Sequence, residues 1–391
     1  MKNSNYFRLT QNAVKQLADV YDTPFLVLSL EQIENNYRLL QKYMPQVKIH
    51  YAVKANPDKN IVAAINRLGG CFDVASGGEI TELAALNIAS DRMLYANPFK
   101  TDAGLKACRR YGVNKFTLDS RTEIDKLAQC FPGAGVLLRL RIDNTGAVVD
   151  LNKKFGARPE QILPLLKYAA AAGLNVLGLC FHVGSQTLSA APYIRALKKS
   201  RELFDAARLE GYHLKTLDIG GGYPVPSMID DVDIAGLLTK INECLENLFP
   251  DTEIWSEPGR FVCATAVNML TKVIGVTERN GQPWYFLDEG VYGAFSGVLF
   301  DHWDYEFVSY KNGPGLLSTF AGPSCDSLDV ICCGRASPPL LPNDILLVPA
   351  CGAYSSASAT SFNGFAKAQT IVWEEAREKL SLAEFCFAPA V

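Results

Sequence analysis

Residues 48–56 read KIHYAVKAN: an apolar run from Lys48 to Val53 stops at Lys54, and helical periodicity follows from Ile61 to Leu68. A short apolar run with a helix behind it is the repeating unit of a parallel sheet, whose neighbouring strands need a crossover connection. The same unit recurs on the C-terminal side. Strand-like runs lie at Cys71–Val74, Met93–Tyr95, Lys115–Leu118, Val136–Arg141, Val176–Phe181, Thr216–Ile219 and Glu253–Trp255. Between them the apolar spacing is helical, at Glu79–Leu86, Glu123–Ala128, Ile162–Ala171, Ile194–Arg208 and Ile234–Leu248. Eight such repeats predict an α/β fold of the (β/α)8 TIM-barrel type.

The flanks read differently. Phe25–Leu28 is a preliminary strand, and Ser29 with Gln32 three residues on forms a capping-box pattern for a helix with Ile33, Tyr37 and Leu40 on its apolar face. Beyond Val262 the texture becomes aromatic and β-branched, broken by Gly and Pro, as in Trp284–Leu287, Gly297–Phe300 and Ile345–Val348. These runs predict a C-terminal β domain. The division expected is a barrel over 28–265 and a β-rich domain made of 1–27 with 266–391. No tract rich in Gly and Ser separates them, so close packing of the two is expected.

Composition narrows the function. The chain has 391 residues, enough for more than one small module, and 38 basic against 41 acidic residues give a net charge of -3. That balance lacks the basic footprint of a general nucleic-acid binder, so small molecules or a second copy of the chain are the expected partners. The four histidines (His50, His182, His213, His302) form no spaced pair with one another or with a CxxC, which argues against a structural zinc site and predicts no metal. Eleven cysteines without a regular framework suit a reducing compartment. The start has no signal-type apolar core, and no run approaches the ~20 apolar residues that span a bilayer. A cytoplasmic protein away from membranes is expected.

In a (β/α)8 barrel the chemistry sits at the C-terminal ends of the strands. Lys54 ends the first strand (YAVKAN), Asp73 the second (FDVAS), Arg141 the fifth (LRLRI) and His182 the sixth (FHVGS). Gly220, Gly221 and Gly222 follow the seventh (DIGGGYP), and Glu257 to Arg260 follow the eighth (SEPGR). A lysine at a strand end is most often a solvated rim residue, and a glycine triplet alone is only a turn. Together they say more. Consecutive glycines let backbone N–H groups approach an anion, and the loops after the last two strands are where barrel enzymes hold phosphates. Gly259, Arg260 and Ser185 add an amide, a guanidinium and a hydroxyl. A lysine able to form an imine, a phosphate cradle and the Glu257 carboxylate point to pyridoxal phosphate, with Glu257 on the pyridine nitrogen. His182 could stack on the ring, although a lone histidine there would read as a satisfied core residue.

YAVKAN, FDVAS, FHVGSQT, DIGGGYP, EPGR, GPSCDSLDV and GAYSSASATSFNGF occur in that order over about Thr23 to Val372. The chain therefore resembles the barrel-type (fold type III, alanine racemase-like) pyridoxal phosphate decarboxylases of basic amino acids, above all ornithine decarboxylases and bacterial lysine/ornithine decarboxylases. The resemblance implies that Lys54 holds the cofactor as a Schiff base, Glu257 pairs with the ring nitrogen and His182 stacks on the ring. It implies that Asp73 and Arg141 line the cofactor, and that Ser185, Gly221, Gly222, Gly259, Arg260 and Tyr354 bind its phosphate.

By the same resemblance Cys325 reaches across a homodimer interface to protonate the carbon that has lost carbon dioxide, a role that needs a thiol within hydrogen-bond reach. Asp326 and Asp301, with Tyr354, receive the substrate, the two carboxylates taking its distal ammonium. Lys154 and Asp329 match an inter-subunit ion pair. The implied activity is decarboxylation of ornithine to putrescine, of lysine to cadaverine, or both. Diaminopimelate decarboxylases resemble the barrel motifs, but they use arginines for a distal carboxylate and have Glu in place of Asp326. An inactive regulatory homologue would have lost catalytic residues, and Lys54, His182, Glu257, Arg260, Cys325, Asp326 and Tyr354 are all present. A racemase, which shares the barrel and the lysine, is disfavoured by Glu257 and by CDSLDV. Ala55 and Ser327 stand where relatives vary.

Overall fold

The computed structural model describes residues 6–142, 147–149, 154–225 and 232–380. Eight parallel strands close into a barrel: β1 (Val47–Ala52), β2 (Cys71–Val74), β3 (Met93–Tyr95), β4 (Lys115–Leu118), β5 (Gly135–Arg139), β6 (Asn175–Cys180), β7 (Thr216–Asp218) and β8 (Glu253–Ser256). They neighbour one another in chain order, and β8 closes the ring on β1 through Ile254 opposite Val47 and Ser256 opposite Ile49. The strands are short and almost wholly buried, as parallel strands covered by helices must be. At Gly178 in β6 a side chain would run into the Thr216 carbonyl of β7, so the close approach of these two strands requires glycine.

Four of the covering helices start on side-chain caps. Asp58, Ser76, Thr101 and Asp233 each accept a backbone N–H of the first turn, satisfying donors a helix leaves open at its start. Ser29 likewise accepts the Gln32 N–H at 3.2 Å. The helix Asp102–Tyr111, which buries Leu105 and Cys108 on one face, ends at Gly112 with φ +77°.

The described chain divides into two units, one made of Glu34–Val225 and Val232–Phe261, the other of the residues up to Ile33 and from Val262 on. In the second unit Phe25–Leu28 pairs parallel with Gln369–Val372 and antiparallel with Val267–Arg279. Gln282–Leu287, Leu316–Ala321 and Val330–Ser337 extend that sheet, and Ile345–Val348 pairs with Val267–Arg279. Phe7, Val14, Phe25, Leu270, Leu347 and Trp373 form its core, with the Phe7 and Trp373 rings 5.7 Å apart. Burial of such side chains, at roughly 1.5–3 kcal/mol each, holds Phe25–Leu28 and Gln369–Val372 in one sheet. One strand expectation fails. Gly297–Asp301 is a short helix, not a strand: Phe300 N–H bonds to Ser296 O at 3.2 Å and Trp303 N–H to Gly297 O at 3.0 Å, so local bonding overrides the β propensity of Val298 and Phe300. Among the described residues no helix is long and apolar enough to cross a membrane.

Candidate active site

Because β8 closes on β1, residues from both ends of the barrel sequence become neighbours. Around the ring the strands run β5, β6, β7, β8, β1, β2, and their ends carry Arg139, His182, Asp218, Glu257, Lys54 and Asp73 in that order. Lys54 lies in a single 3₁₀ turn, Val53–Ala55, directly after β1, and its Nζ is 2.5 Å from Oδ2 of Asp73. Asp73 is buried, and its other oxygen, Oδ1, has no hydrogen-bond partner among the described residues. That leaves a buried acceptor waiting for a donor.

His182 accepts the Gly184 N–H on Nδ1 at 3.0 Å. Burial, reinforced by the charges of Arg139 and Lys54, pushes its imidazole down to about 3. The ring is neutral at physiological pH, with its proton on Nε2. Glu257 is tied by its N–H to Gly220 O at 2.8 Å. Its carboxyl is pushed well above the usual range, first by burial, then by Asp218 and Asp73, against the opposing pull of Lys54 and Arg139. Asp218, fully buried with Oδ1 accepting the Gly220 N–H at 2.8 Å, is pushed up to about 6, chiefly by burial. Three carboxylates thus crowd one end of the barrel, where a further cationic donor would lower the cost of their charge.

The glycine turn supplies the other half of the site. The Gly220 carbonyl accepts Ser256 Oγ at 2.7 Å, that of Gly221 accepts the Tyr193 hydroxyl at 2.9 Å, and that of Gly222 accepts the Thr187 N–H at 2.9 Å. All three carbonyls are engaged, while the N–H groups of Gly221 and Gly222 make no hydrogen bond among the described residues. Gly222 has φ +100°, and a Cβ there would strike the Gly184 carbonyl. Ser185 opens the short strand Ser185–Thr187, tied to the turn through that Thr187 bond, and Gln186 bonds Val225 in both directions at 3.1 and 2.8 Å. Gly259 packs against Ala52 and Ala55, and Arg260 beside it is buried.

Arg141 requires a correction. β5 ends at Arg139; Leu140 makes one isolated bridge to Ala157, and Arg141 lies beyond it, exposed. Arg139 instead is the guanidinium whose charge acts on His182, Asp218 and Glu257. The two arginines stand two residues apart, so the strand period does not distinguish them and only the strand's end does. Asp218 and Glu79 escaped the sequence reading as well. Asp218 sits in DIGGGYP, where an aspartate ahead of glycines has the composition of an ordinary turn. Glu79 belongs to an S-x-x-E cap in which Ser76 Oγ accepts its N–H, yet burial first, with Asp73 adding, pushes its carboxyl up to about 7.

The remaining expected residues lie mainly in the second unit. Asp326 accepts the Leu328 N–H at 2.9 Å and the Tyr292 hydroxyl, and these bonds hold its carboxyl below the usual range. Cys325 is exposed, with its N–H and Sγ 3.2 and 3.4 Å from Oδ1 of Asn363. Asp329 is buried and accepts the N–H groups of Val291 and Ser324 at 2.8 and 3.0 Å. Asp301 ends the short helix, half-buried, and Tyr354 adopts φ +53°. In the barrel unit, Lys154 is exposed, its ammonium over the Phe155 ring.

Residues 30–264 match the family described as pyridoxal-dependent decarboxylase, pyridoxal binding domain. The chain belongs to this family. It is 50% identical over 379 residues to the lysine/ornithine decarboxylase of Selenomonas ruminantium, covering 97% of this chain and 96% of the relative. The crystal structure of lysine decarboxylase from the same organism superposes with a TM-score of 0.93 at 49% identity, over 96% of this chain and 99% of that one. The lysine/ornithine decarboxylase of Vibrio vulnificus, solved with cadaverine, gives 0.88 at 36% identity, over 93% and 99%.

The cofactor of this decarboxylase is pyridoxal phosphate, and the barrel end fits it. The two glycine N–H groups and Arg260 suit a phosphate, the crowded carboxylates suit a protonated pyridine nitrogen, and the neutral ring of His182 suits a flat aromatic face.

Proposed function

We propose that the chain removes the α-carboxylate of basic L-amino acids, converting ornithine to putrescine and lysine to cadaverine with release of carbon dioxide. The observation that carries this reading is the row of Asp218, Glu257, Lys54 and Asp73 on four consecutive strand ends beside the glycine turn. The 50% identity to a lysine/ornithine decarboxylase supports the substrate class. Bound at this site, pyridoxal phosphate supplies the electron sink for the pair left when carbon dioxide departs.

The residues divide the remaining work. Lys54 would carry the cofactor between turnovers and give way to the substrate amine, and Asp73 would hold the Lys54 amine in place once it is freed. Glu257 keeps the ring nitrogen protonated, with Asp218 behind it and Arg139 limiting the accumulated negative charge. The N–H groups of Gly221 and Gly222, the Gly259 backbone, Ser185, Arg260 and Tyr354 bind the phosphate. His182, neutral, covers the ring without adding charge. Asp301 and Asp326 take the distal ammonium, since an unpaired charge in a closed site is costly.

The working form is a homodimer in which Cys325 and Asp326 serve the site of the other subunit and Lys154 pairs with Asp329 of the partner subunit. Cys325 returns a proton to the substrate carbon. The ten cysteines described, none of them in a disulfide, support a reducing, cytoplasmic setting.

The test is carbon dioxide release by purified protein with pyridoxal phosphate, offered ornithine, lysine, arginine and meso-diaminopimelate separately. Release from ornithine and lysine is expected. Their kcat/KM ratio should stay within about two hundredfold, since one methylene in an apolar pocket discriminates by only about 1–3 kcal/mol. Release from arginine or diaminopimelate alone would overturn the roles of Asp301 and Asp326.

A further inference from the structure

The turn Ser361–Phe365 (SFNGF) holds two consecutive residues by separate handles. Asn363 directs its side-chain Oδ1 at both the backbone N–H and the Sγ of Cys325, at 3.2 and 3.4 Å. Phe362, one residue earlier, stacks on Tyr292 with ring centroids 4.2 Å apart, and the Tyr292 hydroxyl donates to Asp326. The Thr360 N–H and hydroxyl both bond Tyr292 O, at 2.8 and 3.0 Å, fixing the ring against the turn. Asn363 has φ +52°, and Gly364 after it has φ +80°. Asparagine is among the few side chains that occupy this left-handed region readily, so the backbone requirement alone explains an Asn or Gly here. It does not explain an amide oxygen shared between the N–H and the thiol of one cysteine.

We propose that Asn363 is a positioning residue for Cys325: its amide oxygen accepts both the cysteine's backbone N–H and its S–H, which holds the sulfur in one rotamer and keeps its proton in place until the substrate carbon takes it. This rests on the reading of Cys325 as the proton donor. In the step it serves, the S–H bond breaks as a C–H bond forms on the substrate carbon that has lost carbon dioxide, and the thiolate regains its proton from water. A thiol left to rotate delivers that proton late. With the thiol proton delayed, the same pair of electrons would be open to protonation away from the substrate carbon, and hydrolysis by water would then give an aldehyde in place of the amine, the amino group staying with the cofactor.

The test compares Asn363→Gly, Asn363→Asp and Cys325→Ala in the holoenzyme. Glycine tolerates φ +52° and removes the amide; aspartate tolerates it and keeps an acceptor oxygen. The first readout is the ratio of aldehyde to amine product. Asn363→Gly should raise it in the same direction as Cys325→Ala and lower kcat about tenfold, the scale of losing orientation while keeping the group, with KM within about twofold. Asn363→Asp should restore most of the loss. The second readout is alkylation of Cys325 by iodoacetamide in cofactor-free protein, expected to be several-fold faster in Asn363→Gly than in Asn363→Asp or wild type, roughly as a freed thiol rotor would allow. A wild-type product ratio in Asn363→Gly while Cys325→Ala diverts turnover overturns the role of Asn363 and leaves that of Cys325 standing. Should Asn363→Gly not fold, an Asn363→Asp variant that partitions like Cys325→Ala overturns the proposal too. A wild-type ratio in Cys325→Ala overturns the underlying reading itself.

Discussion

The carboxylates at the end of the barrel and the carboxylate of the CDS turn are the same chemical group under opposite conditions. Glu257 and Asp218 are pushed up because burial removes water and their neighbours are also acids. Asp326 is pulled down because the Leu328 N–H and the Tyr292 hydroxyl donate to a carboxylate that water still reaches. The first pair favours keeping a proton and gains most from a cationic donor brought into the pocket. The second is ionised beforehand and suits an ammonium that arrives with the substrate. Under the proposed function, solvent access suits one acid type to cofactor activation and another to substrate recognition.

The contrast breaks hardest at Lys54. Lys54→Ala removes both the imine-forming amine and the cation facing Asp73, and turnover should fall by at least about a thousandfold. The cofactor absorbance of the imine should vanish with it, measured by spectrum and carbon dioxide release. An active Lys54→Ala enzyme would remove the barrel end from the chemistry.

Asp218 provides the next effect. With a native value of about 6 against an ordinary 3.8, the folded chain binds more protons than the unfolded chain between those pH values. Stability of cofactor-free protein should therefore fall as pH rises from about 4 to 6, and the cost, at most about 3 kcal/mol, is present in full above that window. Asp218→Asn should remove this slope and raise stability at pH 7, read by denaturant titration at fixed protein concentration. A slope unchanged in Asp218→Asn would assign the titration to Glu257 or Glu79.

Most of this barrel was legible from its strands. All eight runs were recognisable because parallel strands buried on both faces are short, apolar and spaced by helices, and their order in a closed ring follows chain order. The ends of strands were less legible. Arg139 and Arg141 share a parity, and nothing in LRLRI marks where the last ladder bond falls; that depends on how far β6 reaches, a long-range matter. Gly297–Phe300 misled for a related reason, since β-rich residues adopted local helical bonds. Lys54 and the glycine turn stood out because their chemistry is unusual at a strand end. Asp218 did not, because a lone aspartate before glycines reads as an ordinary turn residue until burial is known.

The arginine pair sharpens the same lesson at smaller scale. Arg139→Ala should weaken cofactor binding about tenfold, since it removes a cation that offsets crowded carboxylates, whereas exposed Arg141→Ala should change stability by no more than about 0.5 kcal/mol. Cofactor titration followed by absorbance separates them. Equal effects would mean that the strand's end does not decide which arginine serves the site.

The smallest effect belongs to the CDS turn. Tyr292→Phe removes one of two donors to Asp326 and keeps the ring stacked on Phe362. The Leu328 N–H remains, so the carboxylate should stay ionised at neutral pH but lose part of its orientation. KM for ornithine and lysine should rise about threefold with kcat nearly unchanged, the pattern of lost uniform binding. Because the donor touches only the recognition acid, the product ratio should not move, in contrast to Asn363→Gly. A Tyr292→Phe enzyme that lost kcat instead would show that Asp326 acts in the chemical step, and the division between activating and recognising carboxylates would no longer hold.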